Sequence, residues 1–355
     1  MGHTRRSFFI LTSTLYMTDK NTITRLFHSF EGKKLLIIGD VMIDAYLWGS
    51  VDRVSPEAPV PIVTLNKRES RLGGAANVAM NIQNLGGIPV LCSVIGNDSK
   101  GDLFRELLEE ENLTNEGIIT SEHRMTTVKF RVFGNNVQML RVDEEMAKYL
   151  REEESAGLLK KVRNLLDTNG IDAIVFEDYD KGVISPKLIE EVLNLAKTHD
   201  VPIVVDPKKK NFSLYHGVTL IKPNLKELRE GLNLNGELVE PEQIHKAVLA
   251  LQDKLQVETV LATLSDKGIY YSRRNSNGDR ESGAIPAYIR DVADVSGAGD
   301  TVISLAALCV AAGAPVELMA RICNLGGGLV CELVGVVPVN KDKLLFEALK
   351  KFCQH

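Results

Sequence analysis

Between Asp294 and Thr301 the chain reads Asp-Val-Ser-Gly-Ala-Gly-Asp-Thr, a turn of small residues and an ionisable acid. The apolar run that follows, Val302 to Ala312, predicts a buried helix. Gly297, Ala298 and Gly299 leave their backbone N–H groups unshielded at the positive end of that helix, where an anion such as phosphate is favoured. Asp300 stands at the same point. A phosphate repels a carboxylate unless the carboxylate has a task there, and the fitting task is to take the proton from a hydroxyl that attacks phosphorus. The plainer role for such an Asp is to cap a helix after a glycine turn. Two familiar phosphate loops are excluded. No Lys-Ser or Lys-Thr follows the last glycine, and Val302 occupies the place where a dinucleotide fingerprint needs a third small residue.

Such a turn needs a scaffold, and the rest of the chain supplies the pattern of one. Lys34 to Gly39 is an apolar, β-rich run closed by Gly39-Asp40 and followed by Val41 to Asp44, which predicts a first parallel strand and the loop at its carboxyl end. Ligands of open α/β sheets bind at such ends, which makes Asp44 a candidate to hold ligand hydroxyls. Ser55 to Thr64, with Pro56, Pro59 and Pro61 among alternating apolar residues, suits an edge strand. Leu72 to Asn77 opens a helix, and Ile88 to Ile95 is a further strand. Met125 to Asp143 carries a Gly134-Asn135-Asn136 turn between two alternating runs, a hairpin signal. With the Pro-rich strand it predicts a small antiparallel lid, its strands within about 50–66 and 124–143. Beyond it, helices near 152–167, 186–198 and 240–254 alternate with strands near 173–176, 203–206, 219–222, 259–264 and 268–272. Such alternation predicts an α/β fold, a parallel sheet covered by helices on both faces.

Composition bounds the rest. With 44% hydrophobic and 25% charged residues over 355 positions, the chain can bury a sizeable core. A net charge of −5 carries no footprint for nucleic acid or anionic lipid, and neither partner is expected. Cys92, Cys309, Cys323, Cys331 and Cys353 lie mostly in apolar segments without Cys-x-x-Cys spacing, and read as reduced residues of a cytoplasmic protein. No stretch approaches the roughly 20 apolar residues of a membrane span. Residues 1–30 are expected to be an N-terminal extension, of which 1–16 read as an upstream segment, and 31–355 one large domain that includes the lid.

The octet resembles the C-terminal signature of the ribokinase-like (PfkB) carbohydrate kinases, Asp-Thr-x-Gly-Ala-Gly-Asp, with Val295 and Ser296 departing from it at positions that support the turn. Four further stretches resemble that family in its order. Gly73-Gly74 with Asn77 is similar to the segment that meets the sugar, and Asn224-Leu225-Lys226-Glu227 to the Asn-x-x-Glu segment of the magnesium and triphosphate network. Thr263 to Gly268 is similar to the nucleotide loop, with Ser265 where Gly is frequent, and Asn324 with Gly326 to Gly328 to the adenine pocket. Taken alone, the first would be a packing turn and the second an Asn cap with a Glu three residues on. The resemblance covers the chain after residue 30 and implies a ribokinase-like fold, ATP as co-substrate, Mg2+ held by Asn224 and Glu227 through water, a monovalent cation, and a homodimer through the β lid.

Within that family, Gly39 to Asp44, Arg53 to Pro61, Gly73 to Ala79, Glu177 to Gly182 and Asp206 to Lys208 look like the kinase module of D-glycero-β-D-manno-heptose 7-phosphate kinases. The resemblance implies phosphorylation of that sugar phosphate at O1, for ADP-heptose and lipopolysaccharide precursors, with a separate adenylyltransferase acting downstream. A 7-phosphate needs cations, for which Arg141, Lys181 and Lys208 are the candidates, while Lys209 and Lys210 read as a solvated run. Two alternatives stay open: a ribokinase-like kinase of another sugar, sugar phosphate or nucleoside, and a non-catalytic sugar-responsive binding protein.

Overall fold

A computed structural model of the protein describes residues 18–275 and 277–353. Its elements are, in order, α1 (Lys20–Ser29), β1 (Lys34–Gly39), β2 (Val41–Val54), β3 (Pro61–Gly74), α2 (Ala75–Asn84), β4 (Ile88–Gly96), α3 (Ser99–Glu110) and β5 (Ile118–Ser121). The chain continues through β6 (Val128–Gly134), β7 (Val137–Glu144), α4 (Glu152–Asn169), β8 (Ala173–Glu177), α5 (Pro186–His199), β9 (Ile203–Asp206), β10 (Leu220–Ile221) and α6 (Leu225–Gly231). It ends with α7 (Pro241–Leu255), β11 (Thr259–Thr263), β12 (Ile269–Arg274), β13 (Arg280–Ile285), α8 (Ala298–Ala311), α9 (Val316–Val330) and α10 (Lys341–Phe352).

Nine strands form the main sheet in the order β13-β12-β11-β10-β9-β8-β1-β4-β5, parallel except at β11-β12-β13. β1 lies between β4 and β8, which is why its sequence is apolar throughout: Leu35 and Ile37 enter the core beneath α2, α8 and α9, while Leu36 and Ile38 enter the core beneath α4, α5 and α7. The expected parallel sheet with helices on both faces is thus the observed one. The carboxyl ends of its strands share one edge, where Gly39 is in register with Glu177 and Glu177 with Asp206.

The lid is a second sheet, β3-β2-β6-β7. Its hairpin turns at Asn135 and Asn136, both with positive φ, as the Gly-Asn-Asn sequence predicts. Two expectations change here. Val41 to Asp44 is not a loop: after the single residue Asp40 the chain enters β2, a strand of 14 residues. The Pro-rich edge strand begins only at Pro61 and runs to Gly74, because β2 gives it a partner along its whole length.

The boundary expected at residue 31 also moves. Ile23, Phe27 and Phe30 are buried, and the Thr18 N–H donates to the Phe352 carbonyl at 3.1 Å, so residues 18–30 belong to the folded unit. Their apolar spacing fits a short amphipathic helix packed on α10. The segment 1–16 lies outside the described residues. Among these residues no helix is long and apolar enough to cross a membrane.

Candidate active site

α8 begins at Gly297, whose φ of +77° a residue with a side chain adopts only at a cost, and Asp300 lies in its first turn. The Thr301 N–H already returns to the Gly297 carbonyl, while the amides of Gly299 and Asp300 precede any partner within the helix. A Cβ on Gly299 would lie 3.7 Å from Lys222 Nζ and 3.8 Å from Asp206 Oδ2, so the helix end faces these two groups. Gly299 itself has no positive φ, so its backbone conformation does not require glycine.

Asp300 is 4% exposed, and both of its oxygens are held: Oδ2 accepts from Asn77 Nδ2 and Oδ1 from the Tyr179 hydroxyl, each at 2.7 Å. Burial pushes its carboxyl up to about 6, against the two hydrogen bonds; Asp206 adds to the rise and Lys222 opposes it. An acid with that value is ionised at neutral pH and close enough in proton affinity to accept a proton from an attacking hydroxyl. Asn77 is fully buried at the start of α2, its side-chain oxygen accepting from Asn81 Nδ2 while its amide donates to Asp300.

Tyr179 sits on the loop after β8, and Asp40 sets that loop by accepting from the N–H groups of Tyr179, Lys181 and Val183 at 2.9, 3.0 and 2.9 Å. The Asp40 carbonyl also accepts from the Ala75 N–H at the start of α2. Next to the base lie Asp206 and Lys222, paired at 2.8 Å and almost fully buried. Lys208 pairs with Glu227 and stands 3.9 Å from Asp206. Burial pulls the Lys208 ammonium down, but Asp206 and Glu227 outweigh it and the group is held charged.

Asn224, at the head of α6, accepts from the Glu227 N–H while Glu227 accepts from the Asn224 N–H, so Asn224-Leu225-Lys226-Glu227 is a capping box. Leu225 is half-buried and Lys226 exposed. Among the described residues no three His, Cys, Asp or Glu side chains are placed to hold a metal. Three carboxylates nevertheless keep buried oxygens without hydrogen-bond partners: both of Glu177, Oδ1 of Asp206 and Oδ1 of Asp180, of which Glu177 and Asp206 act electrostatically on each other. Magnesium uses one or two carboxylates together with substrate phosphates, and these orphaned oxygens fit that demand, with Glu227 behind them. Burial first, then Asp206 and Asp300, push Glu177 well above the usual carboxylate range.

The remaining candidates divide. Asp44 pairs with Arg131 in the lid, and Gly73 leaves the room its carboxylate occupies, since a Cβ there would meet Asp44 Oδ2 at 2.1 Å. Gly74 caps α2. Ser265 has a φ of +57°, the conformation for which glycine is the usual choice, and Gly268 packs against the Ile285 carbonyl. Asn324 donates to the Pro286 carbonyl, and Gly326 and Gly327 make room for Leu305 and Val302, so this run joins α9 to α8. Arg141 is exposed on β7 and bound by both oxygens of Asp143, and Lys181 is bound by Glu145. Lys208 lies with Glu227 at the expected magnesium end, not with Arg141. Sequence reasoning assigned no role to Tyr179, Lys222, Asp40 or Lys129; all four stand in stretches it named, but only the fold brings Tyr179 and Lys222 to Asp300.

Comparison with known proteins agrees with this geometry. Residues 33–343 match the pfkB family carbohydrate kinase profile. The chain is 36% identical over 326 residues to the bifunctional protein HldE of Syntrophotalea carbinolica, covering 92% of this chain and 65% of that protein. It is 38% identical over 315 residues to the HldE of Desulfatibacillum aliphaticivorans, covering 89% and 63%. The chain thus spans somewhat under two thirds of the length of these curated relatives. Among solved structures it resembles Escherichia coli phosphofructokinase-2 in complex with potassium, with a TM-score of 0.73 at 19% identity over 91% of this chain and all of that one. It also resembles Arabidopsis thaliana ribokinase complexed with ribose and ATP, with a TM-score of 0.68 at 19% identity over 88% of this chain and 99% of that one. These likenesses give the ribokinase fold. With the profile covering nearly the whole chain and an acid held at the head of a glycine-capped helix, the protein belongs to the pfkB family of carbohydrate kinases.

Proposed function

We propose that this kinase transfers a phosphoryl group from ATP to the anomeric hydroxyl of D-glycero-β-D-manno-heptose 7-phosphate, giving the 1,7-bisphosphate. The observation that carries the phosphoryl transfer is Asp300, oriented by Asn77 and Tyr179 at a helix end with free amides. The choice of acceptor is supported by the resemblance of Gly39 to Asp44, Arg53 to Pro61 and Glu177 to Gly182 to heptose 7-phosphate kinases, and by the likeness to bifunctional HldE proteins. Those relatives extend beyond the matched region, and their name denotes a second activity.

In this reading Asp300 takes the hydroxyl proton through Oδ1 or Oδ2 while the Gly299 and Asp300 amides and Lys222 face the charge that develops on the transferring group. Magnesium, when bound with the nucleotide, neutralises phosphate charge, and Glu177 and Asp206 would hold it, with Asn224 and Glu227 reaching it through water. The lid covers the acceptor and excludes water, which limits hydrolysis of ATP. Leu140 and Val142 leave apolar area exposed on the outer lid strand, which supports a homodimer through the lid.

The test is ADP release with heptose 7-phosphate set against fructose 6-phosphate, ribose, nucleosides and unphosphorylated heptose, in potassium and in its absence. Preference for heptose 7-phosphate by tenfold or more in kcat/KM is the expected result. Preference for another acceptor would leave the kinase and remove the heptose assignment; no turnover with any acceptor would favour a sugar-responsive binder.

A further inference from the structure

The face of the lid that carries Asp44 and Tyr46 also carries a compact set of charges. Strand register puts Asp44, Lys129 and Asp143 on one rung and Tyr46, Arg131 and Arg141 on the next rung of the same face. Arg131 pairs with Asp44, Arg141 binds both oxygens of Asp143, and Lys181, on the loop after β8, pairs with Glu145 at 2.6 Å. Four cations therefore meet three carboxylates. The one left over is Lys129, which among the described residues has no carboxylate within ion-pair distance.

Its ammonium lies instead 5.0 Å from the centroid of the Tyr179 ring, reaching it from the lid, while Lys208 stands 5.5 Å from the same ring and comes from the end of β9. The hydroxyl of the same ring donates to Asp300. Tyr179 thus touches both Asp300 and Lys129. Burial, together with Arg141 and Lys181, pulls the Lys129 ammonium below the usual lysine range, against Asp44 and Asp143, so the position gains from an anion that approaches it. Each cation that the sequence suggested for a phosphate already has an anion: Arg141 has Asp143, Lys181 has Glu145 and Lys208 has Glu227.

We propose that Lys129 takes the phosphate of the acceptor sugar, the Tyr179 ring that it shares with Asp300 fixing its place beside the site. The proposal rests on the acceptor being a sugar phosphate, as in the function proposed above. It makes Lys129 the determinant of specificity for phosphorylated over unphosphorylated acceptors.

The test is Lys129→Met, which keeps the length of the side chain and removes its charge. Wild type is first assayed with heptose 7-phosphate and with heptose. The variant should raise KM for heptose 7-phosphate tenfold or more, as loss of a charge-assisted contact requires, with kcat changed less than threefold. KM for ATP and for heptose should stay within twofold, and titration calorimetry with heptose 7-phosphate should show the same loss of affinity without turnover. Lys129→Arg, which keeps the charge, should recover most of the affinity, and matching melting temperatures separate a binding defect from a folding one. A KM for heptose 7-phosphate that stays within twofold overturns the proposal while leaving the acceptor assignment intact. Equal weakening of ATP and sugar phosphate also overturns it, by placing Lys129 on the nucleotide. A wild type that phosphorylates only unphosphorylated sugars overturns both the acceptor assignment and the proposal.

Discussion

Replacing Tyr179 by Phe removes one oxygen, and that oxygen is half of what holds the base. The ring stays, with its two lysines beside it, and so does the Asn77 contact to the other oxygen of Asp300. A hydrogen bond to a charged group contributes about 1.5 to 3 kcal/mol, and each pKa unit corresponds to about 1.4 kcal/mol, so the variant should raise Asp300 by about one to two units. The starting value is about 6. The sign follows from the role: a base must be ionised, so the rate falls as pH drops through its pKa, and raising that pKa moves the acid limb to higher pH. At pH 7 the ionised fraction would fall from about nine tenths to between about a half and a tenth, and near pH 9 it would be largely restored. Tyr179 itself is pushed well above the usual phenol range by burial first and then by Asp300 and Glu177, so it remains a donor throughout this window. The assay is kcat/KM by coupled ADP release from pH 5 to 9.5, with melting temperature as a control for folding. A rate lowered equally at every pH, with the limb unmoved, would refute the reasoning and reduce Tyr179 to a packing residue.

Asp300→Asn keeps the shape of the base and removes its basicity; turnover should drop by about 10²- to 10⁴-fold while ATP binding measured by calorimetry is retained. Gly299→Ala should fold and bind normally, since a Cβ meets Lys222 at an ordinary 3.7 Å, whereas Gly299→Val should press on the Lys222–Asp206 pair and cost activity with little change in melting temperature. Equal losses in both measurements would show that the position matters for folding instead. The double substitution Leu140→Glu with Val142→Glu places charges on the exposed lid face, and light scattering should then report a monomer if that face joins two copies.

The sequence carried the architecture well because its signals are local. Continuous apolar runs marked the buried strands, and Gly134-Asn135-Asn136 marked the hairpin. It missed the long strand β2 because one residue, Asp40, separates it from β1, with no turn sequence between two sheets. Asp300 was legible as an acid at the head of an apolar helix, and that is where it lies. Its donors were not: Asn77 and Tyr179 lie 223 and 121 residues away along the chain, and nothing local announces either contact. The surroundings of the cations were hidden for a related reason: Arg141, Lys181 and Lys208 were chosen by sign, but sign does not reveal a neighbouring carboxylate, and folding supplied one to each. The Asn224 to Glu227 segment shows the reverse case, where the capping box readable from spacing alone is what forms.

Asp40 ties two distant parts of this site to one point. Its carboxylate fixes the loop that presents Tyr179, and its carbonyl fixes the start of the helix that presents Asn77. The lid departs from the sheet at the very next residue, Val41. Both donors to Asp300 are therefore hung from the pivot on which the lid would swing. A swing of the lid about that point would leave the orientation of Asp300 unchanged, because the pivot of a swing travels least; a disturbance at the pivot itself would instead release both oxygens of Asp300 together.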